Sequence, residues 1–595
     1  MGGLLVCLER EGCVPLEPVL LAMRGDGECR GKLEFCLDGP LALGACRLEF
    51  EGDLLATGPD AIAAVHGYFF GPLRGSGASS LLDGYRKHGE AYLRQVDGEF
   101  AFVLWDRRTR TLYLCRDSFG TKPLFYACDD RRLAAASEIR QLLRSGVVPV
   151  SANRSRLAAD LGMGQAVPEE TSFAGVNRVL PSQILRFSPA LDREGIVTWE
   201  PPTTVDRSRS EEDVLVELPR LLSRSIARRR WQRPLLTLSS GYDSVAVAAV
   251  VATDEALRQS FSSAGRPRAI TLFYPGWDFD ESDESGRLAR RLSIAHVVVD
   301  AAGAGPVEAA LELGDACDQP YGATGYELPL VLREARRLGH DSIATGIGAE
   351  YSWETTPRLA ADLFRNKSWS RLLREAREHV GPHAGKLAGF LLHDVVRAWA
   401  GEGVRRLRRL GIRHASAISV SERAGWESMM WRSKAGEMNG AQSSSQMEIL
   451  EQVGVRMGVE LIHPYLDREM VEFAFSTPPH LLGTLTDRKR LLGRAMARRF
   501  PDALWGRPKT PSPDPFVARS LRRVPETLGS FRDWRLPAVL PLDPERLDLV
   551  RRVSAGEPVE FPALAWDVVC QEFWLRRYFP GEASAGEAGG LAATA

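Results

Sequence analysis

The segment 239–244, with the sequence Ser-Ser-Gly-Tyr-Asp-Ser, brings hydroxyl groups, a glycine and a carboxylate together. It follows the apolar run Pro234 to Leu238 and precedes a run of small apolar residues from Val245, a pattern that predicts a strand, a loop and a buried helix. Backbone N–H groups and hydroxyls at the start of a helix bind anions. The GxxxxGK[ST] spacing of a Walker loop is missing. We therefore predict a phosphate site of another kind.

Three other segments carry groups suited to polyphosphate chemistry. The segment 345–350, Thr-Gly-Ile-Gly-Ala-Glu, also follows a predicted strand. Lys509 lies between Pro508 and Pro511, which predicts a stiff loop, and Lys489 lies on a predicted helix. An ammonium held near developing negative charge contributes a few kcal/mol to catalysis. A solvent-exposed helix face is the alternative for Lys489, as a surface position is for Glu350.

The surrounding elements predict where these loops lie. Strands at 268–273, 296–300 and 342–345 alternate with helices at 282–292 and 327–338. Such alternation predicts a parallel sheet with right-handed crossovers, whose ligand site is at the carboxyl ends of the strands. Both glycine-containing loops follow strands and are expected at that edge.

The rest of the chain divides by composition. Short alternating segments up to residue 187 predict stacked antiparallel sheets, and the Pro-rich and Ser-rich stretch 188–212 predicts a linker with a boundary near 205. Helical patterns dominate from about 355 to 580, and the tail 581–595 has too little to bury and is expected to be disordered.

Composition excludes several classes of protein. The net charge of -1 gives no general attraction to nucleic acid or to an anionic membrane. The longest apolar run, Val245 to Ala252, is too short to cross a membrane, and Glu9 and Arg10 interrupt any signal peptide. The nine cysteines show no CxxC or zinc-binding spacing, so we expect reduced thiols in a cytoplasmic protein.

Several segments, in order along the chain, resemble the asparagine synthetase family, class B type. In the first half they are 96–106 (VDGEFAFVLWD), 116–126 (RDSFGTKPLFY), 136–139 (ASEI), 171–176 (TSFAGV) and 180–181 (LP). In the second half they are 239–244, 280–282 (DES) with Ala289, Leu292 and His296, 318–321 (DQPY), 345–348 (TGIG) and 463–467 (HPYLD). The loop 239–244 resembles the SGGxDS loop of enzymes that cleave ATP between the α and β phosphates.

The resemblance implies a multi-domain α/β fold. It comprises a degenerate Ntn-hydrolase-like αββα domain at 1–205, with the linker, and a Rossmann-like ATP-pyrophosphatase domain with helical additions at 206–580. It implies ATP and Mg²⁺ as cofactors, with Asp243 and Glu350 binding the metal and Lys509 and Lys489 acting in catalysis. The implied ATP and pyrophosphate contacts are Leu238, Ser239, Ser240, Gly241, Tyr242, Asp243, Ser244, Thr345 and Gly346.

Three departures from the family pattern bear on chemistry. Gly2 stands where a working glutaminase has its cysteine nucleophile, and Cys7 lies within a strand-like run, so we expect no glutamine hydrolysis. Ile347 replaces a glutamate credited with proton handling at the ammonia step, as β-lactam synthetases also abandon it. Ser240 replaces a glycine and adds a Cβ at a tight turn.

These departures favour an amine other than ammonia, tethered to the same substrate molecule. The resemblance then points to a lasso peptide cyclase, which joins a peptide's N-terminal amine to an Asp or Glu side chain. The implied partners are a precursor peptide, a leader-peptide-binding protein and a leader peptidase. The helical insert between Glu350 and Ser443, with Arg371, Arg377, Trp399, Arg405 and Arg406, has room for a peptide. A β-lactam synthetase or other small-molecule amide ligase is the next alternative, and a non-catalytic scaffold the third.

Overall fold

The structure is a computed structural model. It describes residues 3–10, 33–46, 53–71, 77–263, 265–301, 306–320, 325, 327–396, 425–499 and 514–580. Lys509, Gly2, Trp399, Arg405, Arg406 and the tail 581–595 lie outside these residues.

The N-terminal domain is a sandwich of two antiparallel sheets. One has the order β10-β8-β9-β1-β3-β2 and the other β12-β11-β7-β6-β5-β4. The strands are β1 Gly3–Glu9, β2 Leu33–Asp38, β3 Leu41–Cys46, β4 Leu55–Thr57, β5 Ala61–Phe69, β6 Gly98–Asp106, β7 Thr111–Arg116, β8 Phe125–Cys128, β9 Arg132–Ala136, β10 Asn177–Arg178, β11 Gln183–Phe187 and β12 Arg193–Val197. Alternate residues of the two sheets, among them Val6, Leu43, Val103 and Leu114, share one buried cluster between the layers.

Helices cover both outer faces of the sandwich. They are α1 Ala78–His88, α2 Glu90–Leu93, α3 Ile139–Arg144 and α4 Arg154–Asp160. Leu81 and Leu82 of α1 share a buried cluster with Phe102, on the outer face of the second sheet. Ile139 of α3 and Leu157 of α4 share another cluster, with residues from the outer face of the first sheet. This arrangement confirms the predicted αββα layers.

The C-terminal domain is built on a parallel sheet. Its strands are β13 Pro234–Thr237, β15 Arg266–Phe273, β16 Ala295–Asp300, β17 Ser342–Ala344 and β18 Glu460–Ile462, and the short β14 Ser262–Ser263 pairs antiparallel with β15. The parallel order is β16-β15-β13-β17-β18. Because β15 lies on one side of β13 and β17 on the other, the strand order reverses at β13.

Helices dominate the rest of the C-terminal domain, as predicted. Their bounds are α5 Glu211–Ala227, α6 Tyr242–Thr253, α7 Glu255–Ser260, α8 Ser282–Arg291, α9 Pro306–Ala316, α10 Leu328–Arg337, α11 Ala349–Ser352, α12 Leu359–Arg365, α13 Trp369–Val380, α14 Ala384–Phe390, α15 Met429–Met438, α16 Ala441–Met457, α17 Arg468–Phe475, α18 Pro479–Leu482, α19 Arg490–Arg499, α20 Asp514–Leu521, α21 Val524–Leu528, α22 Leu536–Val539, α23 Pro544–Ser554 and α24 Pro562–Tyr578. A π-helical turn at Leu391–Val396 and a 3₁₀ turn at Phe531–Asp533 complete the set.

Three sequence-based expectations need correction. The stretch 188–212 was expected to be a linker, but it contains β12, which is paired with β11. The strand β18 lies inside the region expected to be helical; its three residues are too few to show a period. Cys46 is disulfide-bonded, whereas the other described cysteines are free thiols as predicted: Cys7, Cys36, Cys115, Cys128, Cys317 and Cys570. Disulfide pairing depends on proximity in space, which sequence spacing does not reveal.

Buried ion pairs join the two domains along α16. Arg116 and Arg178 of the N-terminal domain contact the Glu448 carboxylate at 3.0 and 2.8 Å, and the three side chains are fully buried. Lys122 contacts Glu451, one turn along the same helix, at 3.0 Å. The face of α16 that carries these glutamates is therefore fixed to the N-terminal domain.

None of the helices in the described ranges combines the length and the apolar character that a membrane span requires.

Candidate active site

The predicted phosphate loop lies at the centre of the parallel sheet, where the strand order reverses. β13 ends at Thr237, and the loop leads into α6, whose residues from Ser244 to Val251 are buried. The loop after β17 lies directly beside it. A Cβ on Gly346 would be 2.8 Å from the Ser244 backbone nitrogen, closer than such atoms approach. Only glycine fits at position 346, so the two predicted loops form one site.

Hydroxyl groups organise the first loop. The Ser239 N–H donates to Ser244 Oγ at 3.0 Å, and the two serine hydroxyls lie 2.7 Å apart. The Gly241 N–H donates to Ser239 Oγ at 3.1 Å, and the Ser240 N–H donates to Glu281 Oε2 at 3.0 Å. Ser240 is not among the described non-glycine residues with positive φ. The Cβ that distinguishes Ser240 from glycine therefore imposes no left-handed strain.

An ion-paired cluster lies at the start of α6. Lys489 Nζ is paired with Asp243 Oδ2 and lies 3.4 Å from Glu354 Oε2. Burial raises the pKa of Asp243, and Lys489 opposes that shift. Burial alone would lower the pKa of Lys489, yet the pKa is raised, because Asp243 and Glu354 stabilise the ammonium. Lys489 is thus a charged residue of the site, and the exposed helix face considered as its alternative does not describe its environment.

Two carboxylates are placed to receive a cation. Asp243 Oδ1 is buried and has no hydrogen-bond partner among the described residues. Glu350 accepts the Gly348 N–H at 2.9 Å, and its pKa is raised by burial and by the charge of Asp243. Because the like charges raise each other's energy in a buried site, a divalent cation would stabilise both. The described residues contain no group of three or more His, Cys, Asp or Glu side chains able to hold a metal.

Glu354, His463 and Tyr465 were not predicted as site residues. His463 Nδ1 lies 2.7 Å from Thr345 Oγ1, and the Tyr465 hydroxyl donates to the Asp243 carbonyl at 3.2 Å. Both belong to the HPYLD segment, which was recognised as a family marker without a role for either ring. Their contacts position the two loops, and the order of residues along the chain could not reveal them.

A cavity of about 950 Å³ opens from the loops toward the N-terminal domain. This volume is large enough for a ligand larger than one amino acid. The site residues that line it are Ser239, Gly241, Asp243, Ser244, Thr345, Gly346, Ile347 and Glu350. Its other walls come from α4, α10, α16 and α24.

The remaining predicted contacts lie outside this lining. Leu238 is 2% exposed, and its carbonyl accepts the Thr271 hydroxyl. The Tyr242 ring lies against Gly493 of α19, where a Cβ would be 2.9 Å from the ring. Ser240 lies on the loop without lining the cavity. The structure brings Lys489 to Asp243, while the position of Lys509 is not described.

Within the described part of the helical insert that was predicted to hold a peptide, Ala441 and Gln442 line this cavity. No described residue between Tyr351 and Gly440 lines it. The Arg371 side chain makes contacts inside the protein: it pairs with Glu375 at 2.5 Å and donates to the His480 carbonyl at 2.9 Å. Arg377, on α13, does not line the cavity, and the segment 397–424, which holds Trp399, Arg405 and Arg406, is outside the described ranges.

Fold and site define an α/β protein in which an amidotransferase-like sandwich is joined to a parallel sheet with a phosphate loop at its switch point. Residues 74–195 match the family described as a glutamine amidotransferase domain, and residues 217–574, more than half of the chain, match the family described as asparagine synthase. The chain belongs to the asparagine synthase family.

Relatives of this chain carry different names. "Amidase chyE" of Penicillium rubens is 31% identical over 216 residues, covering 35% of this chain and 31% of that protein, so the match spans about a third of its length. The "Putative asparagine synthetase, glutamine-hydrolyzing" of Mycobacterium tuberculosis is 28% identical over 524 residues, 81% of this chain and 75% of that one. The solved structure titled "Structure of the allosteric regulatory enzyme of purine biosynthesis" has 11% identity and a TM-score of 0.25, covering 51% of this chain and 81% of that one.

Proposed function

We propose that the protein is an ATP-dependent, AMP-forming amide ligase. The observation that carries this proposal is the grouping of Asp243, Glu350 and Lys489 at the carboxyl edge of the parallel sheet, beside the serine-rich loop. A substrate carboxylate oxygen attacks the α phosphorus of ATP, and the bond to the pyrophosphate oxygen breaks. An amine nitrogen then attacks the acyl carbon, AMP leaves with the bridging oxygen, and the nitrogen loses a proton.

The residues present fit a magnesium ion bound with the pyrophosphate portion of ATP. Asp243 Oδ1 and the Glu350 carboxylate are the oxygen donors that would hold the ion. Bound there, magnesium would neutralise phosphate charge. Lys489 supplies the fixed positive charge at the same place, and by pairing with Asp243 Oδ2 it orients the free oxygen. We also propose that Lys509 reaches the phosphates.

The acceptor is proposed to be an amine on the substrate itself, so that the product is a macrolactam formed from a peptide. Ile347 lines the cavity and has no group that exchanges protons, which disfavours the ammonia step of the family. Cys7 is buried on β1, and burial raises the pKa of its thiol to about 12, so this thiol is no nucleophile. The cavity volume supports a substrate of peptide size.

The partners follow from the substrate. A precursor peptide would be the substrate, and a leader-peptide-binding protein and a leader peptidase would present its free amine. These proteins and a cytoplasmic location are proposals that depend on the macrolactam reaction.

The test uses the purified chain with ATP, Mg²⁺ and linear peptides that carry a free N-terminal amine and one Asp or Glu side chain. The proposal expects AMP and pyrophosphate together with a product lighter than the peptide by one water. The same peptides acetylated at the N-terminus are the matched control, and they should give no product of that mass. Formation of ADP and phosphate would overturn the AMP-forming mechanism. Amide formation with small β-amino acids alone would favour a small-molecule ligase.

A further inference from the structure

One wall of the cavity is shared between the two domains. From the N-terminal domain, α4 contributes Arg156, Ala159 and Asp160. From the end of the chain, α24 contributes Asp567 and Gln571, which lie one helical turn apart. We call these five residues the shared wall. The amidotransferase-like domain thus forms part of the same cavity as the phosphate loop.

Gln571, a residue of the shared wall, has a hydrogen-bond acceptor that is unsatisfied within the described part of the chain. Its side chain is 1% exposed, and its Nε2 donates to the Leu157 carbonyl of α4 at 2.9 Å. That bond fixes which end of the amide is nitrogen. The other end, Oε1, is buried and has no hydrogen-bond partner among the described residues. A buried acceptor without a donor is unfavourable, so this oxygen is suited to an N–H group of a ligand.

The other groups of the shared wall also favour a donor. Arg156 Nε lies 2.9 and 3.1 Å from the two Asp160 carboxylate oxygens. Its terminal nitrogens donate to the Glu170 carbonyl at 2.9 Å and to Ser445 Oγ at 3.0 Å. The guanidinium is thus engaged within the protein. The Asp160 side chain remains 31% exposed, and its oxygens keep lone pairs for another donor.

We propose that Gln571 and Asp160 form a subsite for an N–H-bearing group of the substrate, an amide or an ammonium, so that the N-terminal domain takes part in substrate recognition. The assignment of that group to a peptide rests on the proposed function, whereas the subsite rests on the contacts of the shared wall. The domain that resembles a glutaminase then contributes recognition groups to the ligase site.

Glycinamide, which carries both an ammonium and an amide, is the probe for the subsite. Its binding to the full chain is measured by ligand-observed NMR with the wild type and with Gln571→Met, Asp160→Asn and Glu90→Gln. The matched control is Glu90, at the start of α2, which pairs with Arg94 just after that helix at 2.8 Å and does not line the cavity. We expect each subsite variant to weaken binding by about 2 to 10-fold, the effect of one hydrogen bond. The control should bind as the wild type does.

Thermal unfolding of each variant checks the fold, because Gln571→Met also removes the bond to Leu157. Asp160→Asn keeps the shape of the wall. If Gln571→Met unfolds, glycinamide binding to Asp160→Asn alone tests the subsite. Absence of glycinamide binding to the wild type, or equal binding to the wild type and Asp160→Asn, would overturn the subsite.

Turnover of linear peptides distinguishes the subsite from the proposed function. With any peptide that yields pyrophosphate, Asp160→Asn should raise KM for the peptide and leave KM for ATP unchanged. An unchanged peptide KM would overturn the subsite while the ligase proposal stands. If no peptide yields pyrophosphate, the macrolactam proposal fails, and glycinamide binding still decides the subsite.

Discussion

Lys489 and Asp243 form an ion pair across 246 residues of sequence, and the pair leaves one Asp243 oxygen free in a buried position. Lys489 also lies 3.4 Å from Glu354, so its charge offsets the charges of both Asp243 and Glu354 near the N-terminus of α6. One side chain therefore sets both the charge and the orientation of the acid proposed to bind the metal.

Replacing Lys489 by methionine should abolish most activity. The substitution leaves the Asp243 and Glu354 charges unopposed where phosphate charge must accumulate. We expect kcat for pyrophosphate release to fall by about 100-fold or more. The control is Lys87→Met, at an exposed position near the end of α1, which should act as the wild type does. Activity of the Lys489→Met enzyme close to that of the wild type would show that catalysis does not need this lysine.

Replacing Ser240 by glycine should leave activity nearly unchanged. Ser240 contributes its N–H to Glu281, a bond that glycine also makes, and its backbone does not need positive φ. We expect kcat/KM within about threefold of the wild type, because glycine keeps the backbone contact and the backbone conformation of this loop position. A large gain in activity would show that the serine hampers the loop.

The pH dependence of stability should carry a contribution from His463. Burial lowers the pKa of this histidine to about 4 from its ordinary 6.5. Between these values the unfolded chain binds a proton that the folded chain does not, so the free energy of unfolding falls as pH drops from 6.5 toward 4. The slope from this one group is at most about 1.4 kcal/mol per pH unit.

The variant His463→Asn keeps a polar partner for Thr345 but cannot titrate. Chemical denaturation of both proteins across this pH range measures the contribution. We expect the wild type to lose stability relative to the variant as pH falls. Parallel curves would show that His463 titrates normally.

Replacing Glu448 by glutamine should destabilise the joint between the domains. The pKa of Glu448 is held below its ordinary range despite burial, because Arg178 and Arg116 contact it. Removing its charge leaves two buried guanidinium groups uncompensated, at a cost of about 3 to 5 kcal/mol. Thermal unfolding should show a lower midpoint, whereas Glu545→Gln, at a 90% exposed side chain, should not. Equal midpoints would mean that the ion pairs contribute little.

The sequence predicted the elements whose signal is local. The apolar run from Val245 and the strands around it are recognisable by period and composition alone, and the structure confirms them. β18 could not be predicted, because its three residues show no period and its partner β17 lies more than 100 residues earlier in the chain.

Part of the candidate site was predictable, because some of its residues lie in short local sequence patterns. Asp243 and Thr345 are contained in short recognisable loops, and both line the cavity. The pairing of Lys489 with Asp243 depends on the packing of distant elements. Gln571 is a single amide on a helix, and only its bond to the Leu157 carbonyl shows that its oxygen is left without a partner among the described residues.

The most direct test follows the oxygen atoms of the reacting carboxylate. A linear peptide whose acidic side chain carries heavy oxygen is converted with ATP and Mg²⁺, and the products are analysed by mass spectrometry. Formation of an acyl-adenylate predicts that one labelled oxygen is found in the phosphate of AMP and the other in the new amide. Label in inorganic phosphate, accompanied by ADP, would contradict the proposed reaction.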